Sequence, residues 1–230
     1  MQLPLRKRLA AEALGTFALV FAGTSAIVAN GNGAVSHVGV ALTFGLVVFA
    51  LISALGDVSG AHLNPAVTLG FYLARRFPGR TVVPYVLCQC AGAVLASLAV
   101  RFLFPTAADL GGTTPAGPVS QSWVLELLLT AGLMFVVLSV STGAREKGIT
   151  AGLAIGGVVA LEALFAGPVC GASMNPARSL GPAVVSWQLG SLWVYLTAPV
   201  IGAALAVPAC RCVREDACCR PGRTPEEVCP

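Results

Sequence analysis

The sequence predicts an all-α membrane protein: six transmembrane helices plus two re-entrant half-helices, arranged as an inverted repeat. Three observations carry that prediction. The 230 residues are 56% hydrophobic and only 10% charged, with a mean hydropathy of +0.83, whereas a soluble domain carries about 25% charge. Six apolar stretches are long enough to span, given roughly 20 residues per crossing. One phrase also occurs twice: Gly60-Ala61-His62-Leu63-Asn64-Pro65-Ala66-Val67-Thr68-Leu69-Gly70 matches Gly171-Ala172-Ser173-Met174-Asn175-Pro176-Ala177-Arg178-Ser179-Leu180-Gly181 at seven of eleven positions.

The spans fall at about 8–29, 37–56, 82–104, 121–142, 148–166 and 190–210. Arg6-Lys7-Arg8 precedes the first, but that apolar run is long for a secretory leader. Two further apolar segments, 64–74 and 175–186, are too short to cross. Each opens on a helix-start signal, Asn64-Pro65-Ala66 and Asn175-Pro176-Ala177: Asn as N-cap, Pro at the first helical position, Ala as a strong helix former. Each would make roughly 18 Å of helix, so the two together can complete a seventh crossing. Irregular backbone at that depth is tolerated only where protein buries it or water lines it, which implies a water-filled path.

Glu12 with Thr16 in the first span is echoed by Glu126 with Thr130 in the fourth, and Asn64 and Asn175 follow those acids at 52 and 49 residues. Each half thus holds three spans and one short segment. Three is odd, so the second half enters the membrane from the opposite side. The expected organisation is a first repeat at 1–104, an extracellular linker at 105–121 rich in Gly, Pro and Thr, a second repeat at 122–210 and a cytoplasmic tail at 211–230. With the N-terminus inside, Arg6, Lys7, Arg8, Arg75, Arg76, Arg80, Arg145, Lys147, Arg211, Arg214, Arg220 and Arg223 lie on the inner face, leaving only Arg101 and Arg178 outside. That bias predicts a multi-pass protein of the cell membrane with both termini cytoplasmic. Topology accounts for the net charge of +4, so no nucleic-acid partner is expected.

These residues resemble the aquaporin (major intrinsic protein) family, over essentially the whole chain to about residue 210. Gly167-Pro168-Val169, Gly171-Ala172-Ser173-Met174 and Tyr195-Leu196 look like its nodulin-like, small-solute branch. The resemblance implies a homotetramer of right-handed bundles, each protomer with its own pore, and no cofactor. It also implies an outer constriction of Phe44, Ala163, Ala172 and Arg178. Water-only relatives carry His at the position of Ala163; Ala there removes bulk and a donor. Ser179, where glycerol-like relatives usually carry Asp, points back toward water. Glu12 and Glu126, read as the only acids within spans, match the Glu that the family uses to accept N–H groups from the re-entrant loops.

The chemistry follows from the caps. Each Asn oxygen accepts a backbone N–H, leaving its NH2 donors for the lumen, backed by two positive helix ends. Passing water gives its oxygen to both amides, and a hydronium is costly in that field. Val67 follows the first motif where Arg178 follows the second. A charge within the membrane is functional by default, and this guanidinium would reject cations and donate to passing water or hydroxyls. The expected cargo is water with some small neutral solutes, glycerol and metalloid hydroxides being the candidates.

Other residues are assigned lesser roles. His62 either lines the cytoplasmic vestibule or packs against loop backbone. His37 is read as a solvated end residue of the second span. Cys170, in the outer loop, is a candidate vestibule thiol that would confer mercury sensitivity. Cys88 and Cys90 read as packing residues, and Cys210, Cys212, Cys218, Cys219 and Cys229 cluster around the tail without zinc spacing. A coupled transporter would need ion-coordinating acids or an unwound span. A membrane enzyme would need a nucleophile with its base or a metal cluster. The sequence offers neither set, so it reads as a passive channel with no metal and no catalytic residue.

Overall fold

The computed structural model describes residues 3–141 and 149–213. Arg145, Lys147, Arg214, Arg220, Arg223, Cys218, Cys219 and Cys229 lie outside the described residues. The described chain runs α1 (Leu5–Gly31), α2 (His37–Ser59), α3 (Pro65–Leu73), α4 (Gly79–Leu103), α5 (Val119–Val140), α6 (Ile149–Cys170), α7 (Pro176–Ser186) and α8 (Leu192–Val213). Among the described residues six helices are long and apolar enough to cross a membrane. The other two, α3 and α7, have 9 and 11 residues, about half a crossing at 1.5 Å per residue. The outer surface is apolar: Leu14, Val83, Leu87, Phe102, Leu128 and Leu161 are all exposed. Hydrocarbon solvates such a surface, whereas water would not.

The packing obeys an exchange of halves. α1 packs on α4 and α2; α5 packs on α8 and α6. The short helices cross over: α3 lies against α8 and α7 against α4, so each half's re-entrant helix is held by the other half's last span. α2 and α6 join the halves face to face. Glycines permit the tightest contacts, since without lipid-excluding side chains the backbones themselves must meet. A Cβ on Gly92 would strike the Ala13 carbonyl, and in the other half a Cβ on Gly202 would strike that of Leu127. On the face suggested by Gly152 and Gly156, Gly156 meets the Gly45 carbonyl and Gly152 meets Phe49.

Four helices run past their expected ends: α1 to Gly31 and α2 to Ser59, besides α6 and α8. The fifth span was expected to stop at 166, but α6 continues through Pro168 to Cys170. Proline has no N–H, so the carbonyl four residues earlier, that of Leu164, loses its helical partner. The His37 imidazole replaces it, with Nε2 at 2.7 Å from the Leu164 oxygen. His37 is the half-exposed first residue of α2, as expected, and it also bridges α2 and α6. α8 continues to Val213, so the tail begins a few residues later than 211.

Candidate pore

Asn64 and Asn175 cap α3 and α7. Asn64 Oδ1 accepts the Ala66 N–H at 2.8 Å, and Asn175 Oδ1 accepts those of Ala177 and Arg178 at 3.0 and 3.3 Å. Pro65 and Pro176 occupy the first helical position in each, where a missing N–H costs nothing. The two caps also grip each other. Asn64 Nδ2 donates to the Met174 carbonyl at 2.8 Å, and Asn175 Nδ2 donates to the Leu63 carbonyl at 2.9 Å. The sequence reading assigned both amide hydrogens to the lumen; one of each pair instead ties the two loops together, leaving one.

The loops feeding these caps have a repeated and costly backbone. Gly60, Ala61 and Leu63 have positive φ, as do Gly171, Ala172 and Met174. A non-glycine residue there costs on the order of 1 kcal/mol or more. Buried carboxylates hold both loops in place. Glu12 accepts the N–H groups of His62 and Leu63 at 3.0 and 2.8 Å, together with Ser59 Oγ at 2.7 Å and Gln89 Nε2 at 2.8 Å. Glu126 accepts those of Ser173 and Met174 at 2.7 and 2.8 Å. Both acids are fully buried, and charge-assisted bonds to N–H donors are the strong kind.

The loops and half-helices face a cavity of about 630 Å³. It runs from Asp57, Arg76 and Ser141 at one end, past Asn64 and Asn175, to Phe44, Ala163, Ala172 and Arg178 at the other. Leu19, Val48, Leu133, Val137, Ile155 and Val159 form an apolar wall. The lining is mostly apolar, with polar groups contributed by α2, the two loops, the stretch after α3, the end of α5 and α7. The N-termini of α3 and α7 converge on its middle, each contributing roughly half a positive charge.

At the Arg178 end, the guanidinium is buried, and its Nη2 donates to the Gly111 carbonyl at 3.0 Å. Its Nη1 is buried with no partner among the described residues, and Arg178 lines the cavity. Arg178 Cζ lies 5.3 Å from the Phe44 ring centroid, within cation–π range. The Phe44 ring sits in the notch left by Gly23 of α1. Ala163 and Ala172, both buried, complete this end with methyl groups alone.

At the other end, His62 is a cavity-lining residue whose side chain is packed on side chains rather than bonded to loop backbone. Its Nδ1 lies 3.1 Å from Thr68 Oγ1 and its ring 4.7 Å from the centroids of Phe71 and Phe77. Arg76 Nη1 donates to the Leu138 carbonyl and to Ser141 Oγ at 2.8 and 3.0 Å, tying the stretch after α3 to the end of α5.

Two expectations fail here. Cys170 is not a loop thiol facing the vestibule; it ends α6, is fully buried, and does not line the cavity. Its Sγ donates to the Ala166 carbonyl and accepts the Ala172 N–H, which shapes the turn into the loop. Glu12 and Glu126 are also not the only acids in the spans. Glu162 lies in α6, buried, with Oε2 unpartnered among the described residues and Oε1 close to Gly132 of α5. A count of acids within 148–166 would have found it. Among the described residues no cluster of ligating side chains could hold a metal ion.

The chain matches the family model described as major intrinsic protein over residues 1–209. It is 48% identical over 216 residues to "Aquaporin NIP1-4" of Oryza sativa subsp. japonica, covering 93% of this chain and 79% of that protein. It is 46% identical to "Aquaporin NIP1-1" of Zea mays, covering 93% and 77%, and 45% identical to "Nodulin-26" of Glycine max, covering 88% and 76%. The nodulin-like features read from the sequence agree with these matches. In fold, the chain is similar to the X-ray structure of the aquaglyceroporin from Plasmodium falciparum, with a TM-score of 0.82 at 24% identity over 89% of this chain and 95% of that one.

Proposed function

Because the chain belongs to the major intrinsic protein family and is an aquaporin-type channel, we propose that it conducts water and small neutral solutes passively while excluding protons and ions. One observation carries the reading: two half-helix caps, Asn64 and Asn175, meet inside a single cavity with one amide N–H each to spare. A water molecule between them accepts from both and so turns its own hydrogens away along the tube in opposite senses. That orientation interrupts the hydrogen-bonded chain a proton would follow. The converging positive helix ends raise the cost of any cation at the same point.

Phe44, Ala163, Ala172 and Arg178 act as the selectivity filter in this reading. The free Nη1 of Arg178 offers a donor to a solute oxygen, and its charge opposes cations. Glu12 and Glu126 act as supports, and His62 as a vestibule residue. The inner bias of the basic residues supports cytoplasmic termini in the cell membrane, and the family likeness supports a homotetramer. The two alanines favour a second component of transport. A filter whose third and fourth walls are methyl groups has room and apolar surface for glycerol or an undissociated metalloid hydroxide, as a His-bearing filter has not.

Stopped-flow measurement on proteoliposomes with water, glycerol and boric acid gradients tests this. The expected result is water flow well above that of protein-free vesicles, with low activation energy and no dependence on sodium or pH gradients, together with measurable glycerol and boric acid entry. Water flow no faster than through bare lipid would reject the channel reading.

A further inference from the structure

Resting on the channel reading, we propose that His37 is a positioning residue for the Arg178 end of the pore, acting by supplying the hydrogen bond that Pro168 removes from α6. The argument starts with the last turn of that helix. Pro168 offers no N–H to the Leu164 carbonyl and crowds it. The orphan oxygen is met across the helix pair by His37 Nε2 at 2.7 Å. A carbonyl only accepts, so the imidazole proton resides on Nε2 in this contact. Gly167 belongs to the same device. A Cβ there would lie 2.9 Å from His37 Cε1, so only glycine lets the ring approach this closely.

The contact sits where the filter is assembled. Leu164 follows Ala163, and the stretch after Pro168 leads through Cys170 and Gly171 to Ala172. His37 lies two helical turns before Phe44 on the same face of α2. Deeper in the membrane, Gly45 already meets Gly156 and Ala160 backbone to backbone, and α2 and α6 need no further tie. Beyond that point the end of α6 is held by single bonds from three elements. The Val169 carbonyl accepts from Ala116 of the linker at 3.0 Å, the Cys170 carbonyl accepts from Tyr195 OH of α8 at 2.7 Å, and His37 supplies the α2 side. Loss of the His37 bond leaves Leu164 unmet and frees the α6 end to move from α2. The gap between Phe44 and Ala163 then widens, which admits glycerol more readily than it speeds water.

The test is a double-mutant cycle read as the ratio of water to glycerol permeability in proteoliposomes. His37→Leu is expected to lower the ratio roughly threefold or more, the scale of one lost hydrogen bond, with water flow retained. His37→Gln, which keeps a donor, is expected to restore most of the ratio. Gly167→Ala, which pushes the imidazole away, should reproduce His37→Leu and add nothing to it. Pro168→Ala restores an N–H to the Leu164 carbonyl, so in that background His37→Leu should leave the ratio unchanged. An equal effect of His37→Leu with and without Pro168, or no effect in either, would overturn the proposal. If His37→Leu alone fails to assemble, the Pro168→Ala, His37→Leu double variant must assemble, and its failure would overturn the proposal equally. Absence of water flow in the unmodified protein would instead reject the channel reading itself.

Discussion

An asparagine side chain carries one acceptor oxygen and two N–H donors, and Asn64 and Asn175 divide them alike between their own helix, the opposite loop and the cavity. Arg178 divides its guanidinium in the same manner: Nη2 is anchored to Gly111, while Nη1 is buried and free among the described residues. In the proposed pore, this anchoring holds the charge at the end of the cavity lined by Phe44, Ala163 and Ala172. Arg178→Val removes both charge and donor, so proton or cation leak should rise, detectable with a pH-sensitive dye inside proteoliposomes; an unchanged leak would count against its gatekeeping role. Ala163 argues from the opposite direction, through what it lacks. Ala163→His adds a ring and an N–H opposite Phe44, and glycerol flux should fall roughly tenfold, a barrier increase of about 1.4 kcal/mol, while water falls much less. Equal loss of both fluxes would remove Ala163 from the filter.

The re-entrant elements show which acids matter. Each loop holds three residues at positive φ, and a buried carboxylate accepts two successive N–H groups of each. Glutamine has one acceptor oxygen where glutamate has two, and its NH2 would face a backbone donor. Glu12→Gln and Glu126→Gln should each lower the thermal midpoint in detergent, with about 1–3 kcal/mol lost per unmet group. Glu162→Gln should lower it little or raise it, because Glu162 holds no loop and its Oε2 has no partner among the described residues. Three equal losses would contradict this division. The sequence made the half-helices legible because their signals are local: Asn, Pro and Ala each state a position at a helix start. Their supports were partly legible because Glu12 and Glu126 recur at matching distances. The end of α6 was not legible. Gly167-Pro168 reads locally as a stop, and the donor that lets the helix continue comes from His37, 127 residues before Leu164. Nothing near either residue announces the pairing. The same reason hid the grip between the two caps, whose partners are 110 and 112 residues apart. Glu162 was missed for no physical reason; its position within an apolar span was there to be read.

At the scale of the whole molecule, the exchange of α3 and α7 between halves means that neither half can form the cavity alone. The cavity wall draws on both halves, from Leu19 of α1 through Arg178 of α7, and one chain supplies both amide caps and Arg178. The apolar outer surface, carrying Leu14, Val83, Leu87, Leu128 and Leu161, suits lipid or neighbouring copies equally and contributes nothing to the path. Conduction should therefore be a property of the single protomer, whatever the assembly. Mixing unmodified chains with chains blocked at the caps, for example Asn64 and Asn175 both replaced by Leu, before reconstitution at constant total protein separates the two cases. With a pore in each chain, water permeability falls in direct proportion to the blocked fraction. With a pore shared between copies, permeability falls as a higher power of the unmodified fraction, because one blocked copy then closes a path that its neighbours line. A curve of that second kind would show that the cavity between Arg76 and Arg178 is not the route, however well its two amide caps are built for it.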